Sequence, residues 1–206
     1  IDAAVYGELV QIGFRRSGRY TYRPHCEPCN ACIPVRLPVA EFHPDRSQRR
    51  AQTRHANLVA NELGLEFSEE HFALYNVYQH SRHSGGGMDV GDLDQYRDFL
   101  LQSNVDSMLV EYREHGQLRM VSVVDRLSEG LSAVYTFYDT SDPGTSYGTY
   151  GVLWQIEWCR THQLPYLFLG YYIHDCRKMA YKTNFGPIEG LVAGEWRRLE
   201  STYLQK

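Results

Sequence analysis

Hydrophobic and polar positions follow two periods along the chain, and each period predicts a different kind of element. Short apolar runs separated by polar turns predict an antiparallel meander of strands, over residues 107–113, 118–126 and 131–138. Apolar residues at helical spacing predict helices instead, over residues 5–14, 69–82, 93–101 and 150–162.

The segment 164–187 carries the strongest local signals. Its first half is almost wholly apolar and lies between Pro165 and Gly170, which predicts a strand buried on both faces. From Asp175, a candidate N-cap, helix formers with basic side chains run to a stop at Gly186-Pro187. Open α/β sheets usually bind ligands where a buried strand ends and a helix follows. The polar side chains gathered at that point are Tyr171, Tyr172, His174, Lys178 and Lys182.

The order of the elements resembles the GNAT acyltransferase fold, in which antiparallel strands are followed by strand, helix, strand and helix. This resemblance implies an α+β domain with a mixed, largely antiparallel sheet, flanking helices and an acyl donor between two splayed central strands. Those strands are 131–138 and 166–171 here, and the donor lies near the start of the helix at 150–162. Residues 146–151 replace the acetyl-CoA signature Arg/Gln-x-x-Gly-x-Gly/Ala, so we expect another donor.

The length of 206 residues suits one large domain or two small ones. We divide the chain into a small cysteine-containing, basic N-terminal subdomain, 1–60, and a GNAT-like domain, 61–206. The net charge of −4 hides an asymmetry, because residues 1–60 carry nine Arg and five acidic residues while the remainder carries twelve basic and twenty acidic residues. A basic face can attract a polyanion although the whole chain is acidic.

The composition also bears on the compartment. No apolar run approaches the ~20 residues that a membrane helix needs, and we find no secretory signal. The five cysteines are odd in number and three lie within seven residues, unlike a secreted disulfide framework. We therefore expect a cytoplasmic protein without a membrane partner. The chain starts at Ile1 rather than Met, which leaves open a missing N-terminal segment.

Two Cys-x-x-Cys steps share one cysteine in residues 24–37. Pro28 and Pro34 disfavour a continuous helix there, so the pattern predicts a knuckle followed by a strand. Thiolates two residues apart on a turn can converge on zinc or an iron–sulfur cluster, and the alternative is three reduced thiols that pack a tight turn. The candidate ligands are Cys26, Cys29 and Cys32, with the fourth open among His25, His43, Cys176 and a residue before Ile1.

A basic stripe follows in residues 42–54. Asp45 or Ser47 can cap a helix on which four arginines recur at steps of three and four residues. Such a stripe fits contact with phosphates. A solvated helix face is the plainer alternative, although acidic partners are scarce nearby. The four residues of the stripe are Arg46, Arg49, Arg50 and Arg54.

Longer motifs carry a second and more specific resemblance. The most specific blocks are PYLFLGYYI at 165–173 and CRKMAYK at 176–182. Shorter matches lie at 22–36, 47–50, 82–83, 131–135 and 138–139. Together the motifs resemble the aminoacyl-tRNA–protein transferase family, the arginyl and leucyl transferases of the N-degron pathway. The cysteine spacing and Arg82-His83 resemble its bacterial branch, the aspartate/glutamate leucyltransferases.

The resemblance implies a reaction in which leucyl-tRNA donates its aminoacyl ester to the α-amine of a protein that begins with Asp or Glu. The implied partners are therefore leucyl-tRNA and acidic N-termini, and we expect a monomer. The chemistry requires no cofactor, because an ester reacts downhill with a neutral amine, and an α-amino group has a pKa of about 8. The site needs an acceptor for the amine, an oxyanion donor, a cation for the acidic side chain and an apolar leucine pocket.

Six residues are candidates for the chemistry itself. An aspartate holds or deprotonates the α-ammonium, tyrosines line the site and donate to the oxyanion, and a histidine acts as a base near neutral pH. The plainer alternative is a hydrogen bond at the core rim for each tyrosine and a turn cap for each aspartate. The six candidates are Asp139 or Asp125, Tyr135, Tyr171 or Tyr172, and His174.

Cations are the candidates for substrate binding. Lys178 and Lys182, or Arg36, bind the acceptor carboxylate, with Arg favoured if the contact is bidentate. The arginines of the basic stripe hold tRNA phosphates. Three alternatives stay open at this point: an arginyl donor, a tRNA-binding or metal-sensing module without catalysis, and an acetyltransferase that uses acetyl-CoA.

Overall fold

A computed structural model describes residues 1–83, 92–142 and 144–199. The strands of these ranges are β1 Arg15–Ser17, β2 Tyr20–Tyr22, β3 Ile33–Pro38, β4 Val59–Leu63, β5 Ser107–Glu114, β6 Gln117–Leu127, β7 Gly130–Tyr138, β8 Tyr166–Tyr172, β9 Glu189–Val192 and β10 Glu195–Arg198. The α-helices are α1 Ala3–Gln11, α2 Arg46–Arg54, α3 Glu69–His83, α4 Leu93–Tyr96 and α5 Tyr147–Thr161. Two 3₁₀-helices lie at Val39–Glu41 and Ala180–Asn184, and a π-helix continues α4 at Arg97–Leu101.

One large sheet organises the described chain. Strands β1 and β2 form a separate hairpin, and the other eight strands form a sheet in the order β10-β9-β3-β8-β7-β6-β5-β4. Every neighbouring pair in this sheet is antiparallel except β7 and β8, which run parallel. The fold is thus mixed α+β with a large, mostly antiparallel sheet, and the predicted meander is confirmed as β5, β6 and β7.

Helices cover both faces of the sheet, because side chains along each strand alternate between the faces. On β5, Met108 and Val110 pack in one core cluster with residues of α2 and α5. Leu109, between them, packs in a second cluster with Tyr75 of α3 and Tyr96 of α4. Alternate residues of β5 therefore pack against different helices on the two faces of the sheet.

The N-terminal part of the chain contributes to the same sheet as the rest. Strand β3 lies between β9 and β8, and it pairs with β8 from Ile33 to Pro38. The division of the chain near residue 60 stays a prediction, and the sheet runs across it. Among the helices of the described ranges, none is long and apolar enough to cross a membrane.

The helix predicted from Asp175 onward is wrong. Turns occupy the segment after β8, and only Ala180–Asn184 forms a short 3₁₀-helix. Backbone N–H groups there bond three residues back, as in the bonds from Met179 to Cys176 and from Lys182 to Met179. In this tightly wound segment the side chain of Lys182 turns inward. It is buried and donates to the main-chain oxygen of Tyr171. A tertiary contact therefore overrides the local helix propensity.

Candidate active site

The central parallel strands, β7 and β8, part after a short contact. Only three residue pairs join them, the last being Ser132 with Phe168. Just beyond, each strand has one residue more than its antiparallel neighbour: Val134 in β7 against β6 and Leu169 in β8 against β3. Such bulges bend a strand away from its partner. Residues 133–136 of β7 and 169–171 of β8 line a cavity of about 580 Å³.

Arg15 of β1 spans the point where the two strands part. Its guanidinium is buried and lines the cavity. Nη2 donates to the carbonyl oxygen of Ala133 in β7 at 2.8 Å and to that of Phe168 in β8 at 3.3 Å. These carbonyls lie where the hydrogen-bond ladder between β7 and β8 ends. The guanidinium therefore donates to carbonyl oxygens that receive no hydrogen bond from the neighbouring parallel strand.

Lys182 brings a second buried cation to the same cavity. The short 3₁₀-helix carries its side chain inward, where Nζ donates to the carbonyl oxygen of Tyr171. Burial and then the nearby charge of Arg15 lower the pKa of Lys182 to about 8, against a smaller opposing effect of Cys176. The ammonium is therefore charged at neutral pH but less strongly than an exposed lysine.

Asp125 does not lie in the cavity, contrary to its predicted role with the amine. Its carboxylate is fully buried and accepts from Arg16 through Nε and Nη2, at 2.6–3.1 Å. Ser107 donates to the same carboxylate at 2.6 Å. With both oxygens occupied by these partners, the carboxylate fixes β6 to β1 and is not free to take an acceptor's proton.

The predicted tyrosines separate into different roles. Tyr135 lines the cavity, and burial raises the pKa of its phenol, so the hydroxyl keeps its proton. Tyr171 also lines the cavity, but its hydroxyl donates to the carbonyl oxygen of Gly13 at 2.7 Å. Tyr172 lies outside the cavity lining and contacts Nδ1 of His174 at 3.5 Å. Tyr171 and Tyr172 therefore do not fit the predicted oxyanion role.

His174 and Arg36 lie away from the cavity lining. His174 is exposed, and its ring lies 3.5 Å from the hydroxyl of Tyr172 and 4.0 Å from the carboxylate of Asp175. Arg36 pairs with Glu189 at 2.8 Å, and its guanidinium stacks on the rings of Tyr166 and Trp196 at 3.6 and 4.4 Å. Its position corrects the prediction that Arg36 binds the acceptor carboxylate, because that guanidinium already has a carboxylate partner.

Asp139 lies directly after β7, next to Tyr138, which lines the cavity. Its carboxylate accepts from Arg119 at 2.9 Å and from the backbone N–H of Ser141 at 2.9 Å. Burial alone raises the pKa of Asp139, but the bonds from Ser141 and Arg119 outweigh burial and lower it. The carboxylate is therefore ionised at neutral pH, at the rim and not inside the cavity.

Several cavity residues carried no signal in the sequence. Arg15 reads as part of a basic turn, and Gln155 as an ordinary polar position of α5. Gln155 is buried and lines the cavity, and its Oε1 has no hydrogen-bond partner among the residues described. Lys178, which the sequence did single out, also lines the cavity but is exposed. Further lining side chains are Tyr78, Arg82, Ser132, Thr136, Tyr138, Thr149 and Tyr181.

The predicted basic stripe forms helix α2 beside the cavity. Asp45, one of the two predicted caps, begins the helix in a capping box with Gln48, and all four arginines of the stripe are exposed. Arg54 donates to the carbonyl oxygen of Gly144, just before α5, and Gln48 donates to that of Asn184 at 2.8 Å. Helix α2 is thus joined to the segments on either side of the cavity, at the start of α5 and after Lys182.

The cysteine knuckle lies between β2 and β3. Cys26 and Cys29 are exposed and Cys32 is half-buried, all as free thiols. Burial and then the neighbouring Cys29 and Cys26 raise the pKa of Cys32. In the ranges that the structure covers, no three or more His, Cys, Asp or Glu side chains are arranged to hold a metal ion. Zinc or an iron–sulfur cluster at the knuckle stays a prediction.

The same fold occurs in a solved structure of unrelated sequence. The crystal structure of FemX superposes with a TM-score of 0.51 at 8% identity, covering 84% of this chain and 61% of that chain. At this identity the likeness concerns the fold alone.

Sequence relatives identify the family. An aspartate/glutamate leucyltransferase from Methylobacillus flagellatus is 61% identical over 98% of this chain and 81% of its own length. Another from Nitrosospira multiformis is 57% identical over 98% of this chain and 80% of its own length. The family models of the arginine-tRNA-protein transferase C terminus and N terminus match residues 70–192 and 1–50. The chain belongs to the arginine-tRNA-protein transferase family.

Proposed function

We infer that this chain transfers leucine from leucyl-tRNA to the α-amine of proteins that begin with Asp or Glu, marking them for N-degron degradation. The observation that carries this inference is 61% identity, over 98% of the chain, to an aspartate/glutamate leucyltransferase. The cavity between β7 and β8 supports it, because it is lined by a protonated phenol, a buried amide group and two buried cations, Arg15 and Lys182, that have no carboxylate partner among the described residues.

The reaction replaces an ester by an amide. The neutral α-amine of the acceptor attacks the ester carbonyl carbon of leucyl-tRNA, and the nitrogen loses a proton. The C–O bond to the terminal ribose then breaks, and that oxygen takes up a proton. Because an α-amine has a pKa near 8, about a tenth of the acceptor is neutral at pH 7. The site therefore needs positioning and oxyanion stabilisation more than a strong base.

A GNAT-like use of the fold suits this reaction, and we place the donor ester between β7 and β8 at the start of α5. The first turn of a helix has backbone N–H groups without intrahelical partners, and these groups stabilise negative charge. Gly148 and Thr149 of that turn line the cavity. The apolar side chains of Val152 and Leu169 line it as well, and they suit the leucine side chain.

Individual polar groups divide the remaining tasks. We assign the hydrogen bond to the oxyanion to Tyr135, whose raised pKa keeps the phenol protonated. Oε1 of Gln155 can accept from an ammonium, and its lack of a partner in the described chain supports that role. Lys178 and Lys182 remain the cations for the acceptor. Asp139 remains a proposal for the amine, from its place at the rim.

The tRNA body lies along α2 in this proposal. The arginines of the basic stripe are exposed on a helix that borders both sides of the cavity, which lets the acceptor stem follow α2 while its end enters the cavity. We further propose a cytoplasmic monomer that requires no cofactor. The five free thiols are consistent with a reducing compartment.

A transfer assay tests the proposal. Leucyl-tRNA and arginyl-tRNA, each radiolabelled in the amino acid, are offered separately to peptides that begin with Asp, Glu, Ala or Lys. We expect label from leucyl-tRNA on the Asp and Glu peptides only. Transfer of arginine instead would keep the family and overturn the leucyl donor. A folded protein that binds tRNA but transfers neither amino acid would contradict the proposal and favour a binding module.

A further inference from the structure

We propose that Arg15 and Lys182 together bind the side-chain carboxylate of the acceptor's N-terminal Asp or Glu, with Gly170 as the floor of that site. The inference rests on the proposed leucyl transfer. Of these three residues, the sequence motifs indicated only Lys182. The inference adds Arg15 as a second cation and Gly170 as the floor of the site.

The first support is charge balance. Four Lys or Arg side chains are buried in the described part of the chain. Two of them, Arg16 and Arg36, each pair with a carboxylate. Arg15 and Lys182 form no ion pair with any carboxylate of the described residues, although they lie close enough for Arg15 to act on the titration of Lys182. Buried like charges are unfavourable until an anion joins them, so the pair is a site for an anion.

The second support is the position of Gly170, the residue of β8 that faces both cations. A carbon built as a Cβ on Gly170 lies 3.7 Å from Nε and from Nη2 of Arg15 and 3.8 Å from Nζ of Lys182. These three nitrogens are the nearest atoms to that point, so Gly170 leaves the space beside both cations open. A carboxylate that packs against the Gly170 backbone at van der Waals distance can accept from both cations.

The third support is the number of donors that remain. Nη2 of Arg15 donates to the carbonyls of Ala133 and Phe168, whereas Nε and Nη1 form no hydrogen bond with the residues described. Nζ of Lys182 donates to one carbonyl, that of Tyr171, and an ammonium has three donors. Protein carbonyls thus fix both cations in place while donors from each stay available. A carboxylate can accept from both at once, because its two oxygens offer about four lone-pair sites.

The depth of the site favours an amino-acid side chain over a tRNA phosphate. Arg15 and Lys182 are each only 7% exposed, and they lie where β7 and β8 part. A side chain of one residue reaches such a position from one direction. A phosphodiester carries a nucleoside on each side and needs an open groove, which the exposed arginines of α2 provide better.

The test compares leucine transfer to two peptides that are identical except at the N-terminus, where one has Asp and the other Asn. Only the Asp peptide carries a carboxylate at that side chain. We measure kcat/KM for both with the wild type, with Lys182→Met and with Arg15→Lys, and we measure the Kd of leucyl-tRNA for each protein. Arg197→Met, an exposed arginine of β10, is the control. Thermal unfolding checks that each variant folds. If Arg15→Lys does not fold, the comparison of Lys182→Met with the wild type still tests the inference.

We expect wild type and Arg197→Met to prefer the Asp peptide, and Lys182→Met to lower that preference roughly 10- to 100-fold, the range of a hydrogen bond to a charged group. The Kd of leucyl-tRNA stays unchanged. An unchanged Asp-to-Asn ratio in Lys182→Met would overturn the inference, and a weaker leucyl-tRNA Kd with that ratio intact would assign the site to a tRNA phosphate. A wild type inactive on both peptides would instead contradict the leucyl transfer itself.

Discussion

Two adjacent arginines of β1 are equally deep in the protein and have different surroundings. Arg16 is 5% exposed and meets Asp125 in a bidentate ion pair that Ser107 completes. Arg15 is 7% exposed, meets two main-chain carbonyls and faces a second cation, Lys182. One site has neutralised its charge within the protein, and the other has not.

The two arginine sites show what distinguishes a structural buried charge from a functional one. A buried ion pair whose partners saturate each other binds nothing further, and removing one partner leaves an isolated buried charge. A buried cation pair held only by carbonyls stores unfavourable free energy that a ligand can relieve. On this account the Arg16 site supports the fold at the expense of binding, and the Arg15 site supports binding at the expense of stability.

The largest expected effect is the loss of folding stability when the buried ion pair of Arg16 and Asp125 is broken. Asp125→Asn leaves the guanidinium of Arg16 buried without an anion, so we expect the free energy of unfolding to fall by about 3–5 kcal/mol. Urea denaturation at pH 7 measures it. Asp106→Asn is the matched control, because Asp106 pairs with Arg126 at the surface, where such pairs contribute about 1 kcal/mol or less. Equal losses in both variants would remove the distinction between the two kinds of site.

Lys182→Met is expected to change stability in the opposite direction. The pKa of Lys182 falls from 10.5 to about 8 on burial, and each unit corresponds to about 1.4 kcal/mol. Replacing the ammonium by an apolar chain of similar length should therefore raise the free energy of unfolding at pH 7 by about 1–3 kcal/mol. The same urea experiment measures it. A loss of stability would show that the ammonium supports the fold.

The pH dependence of that difference is a third test. The unfolded state binds a proton on Lys182 up to its ordinary pKa, whereas the folded state releases it near pH 8. Between about pH 8 and 10.5 the wild type should therefore gain stability relative to Lys182→Met, until the difference closes. Two neighbouring groups act on the pKa of Lys182: Arg15 lowers it, and Cys176 opposes that shift. A stability difference between the wild type and Lys182→Met that stays constant from about pH 8 to 10.5 would contradict the lowered pKa of Lys182.

The smallest expected effect is at the exposed arginines of α2. Arg50→Gln should weaken tRNA binding a few-fold and lower the slope of log Kd against log salt by about one phosphate contact. The Asp-to-Asn preference of the enzyme should not change. Filter binding at several salt concentrations measures the slope. An unchanged slope would show that Arg50 contacts no phosphate and would favour a solvated helix face instead.

The sequence predicted those parts of the fold in which local pattern and tertiary environment agree. Alternation predicted β5, β6 and β7, and the apolar run predicted β8. The helix predicted from Asp175 failed because Lys182 turns inward to a carbonyl of β8. Nothing within the segment itself reports that contact, which competes with local helix propensity.

The candidate site was predicted less completely, because its geometry depends on distant pairs. Asp125 was a candidate for the chemistry, and its partner Arg16 lies 109 residues away in sequence. Arg15 reads as part of a turn, and one carbonyl that it reaches, that of Phe168, lies 153 residues away. A buried charge is functional or structural according to its partners, and a single sequence does not show which residues those are.

The most direct measurement of the central claim is the pKa of Lys182 by NMR of its Nζ, with and without acceptor peptides. In the free protein we expect a pKa of about 8. A peptide with N-terminal Asp should raise that pKa, because the bound carboxylate favours the charged ammonium, and an otherwise identical Asn peptide should not. The same pKa with both peptides, at concentrations that saturate transfer, would contradict the claim that this cation pair recognises the acidic acceptor.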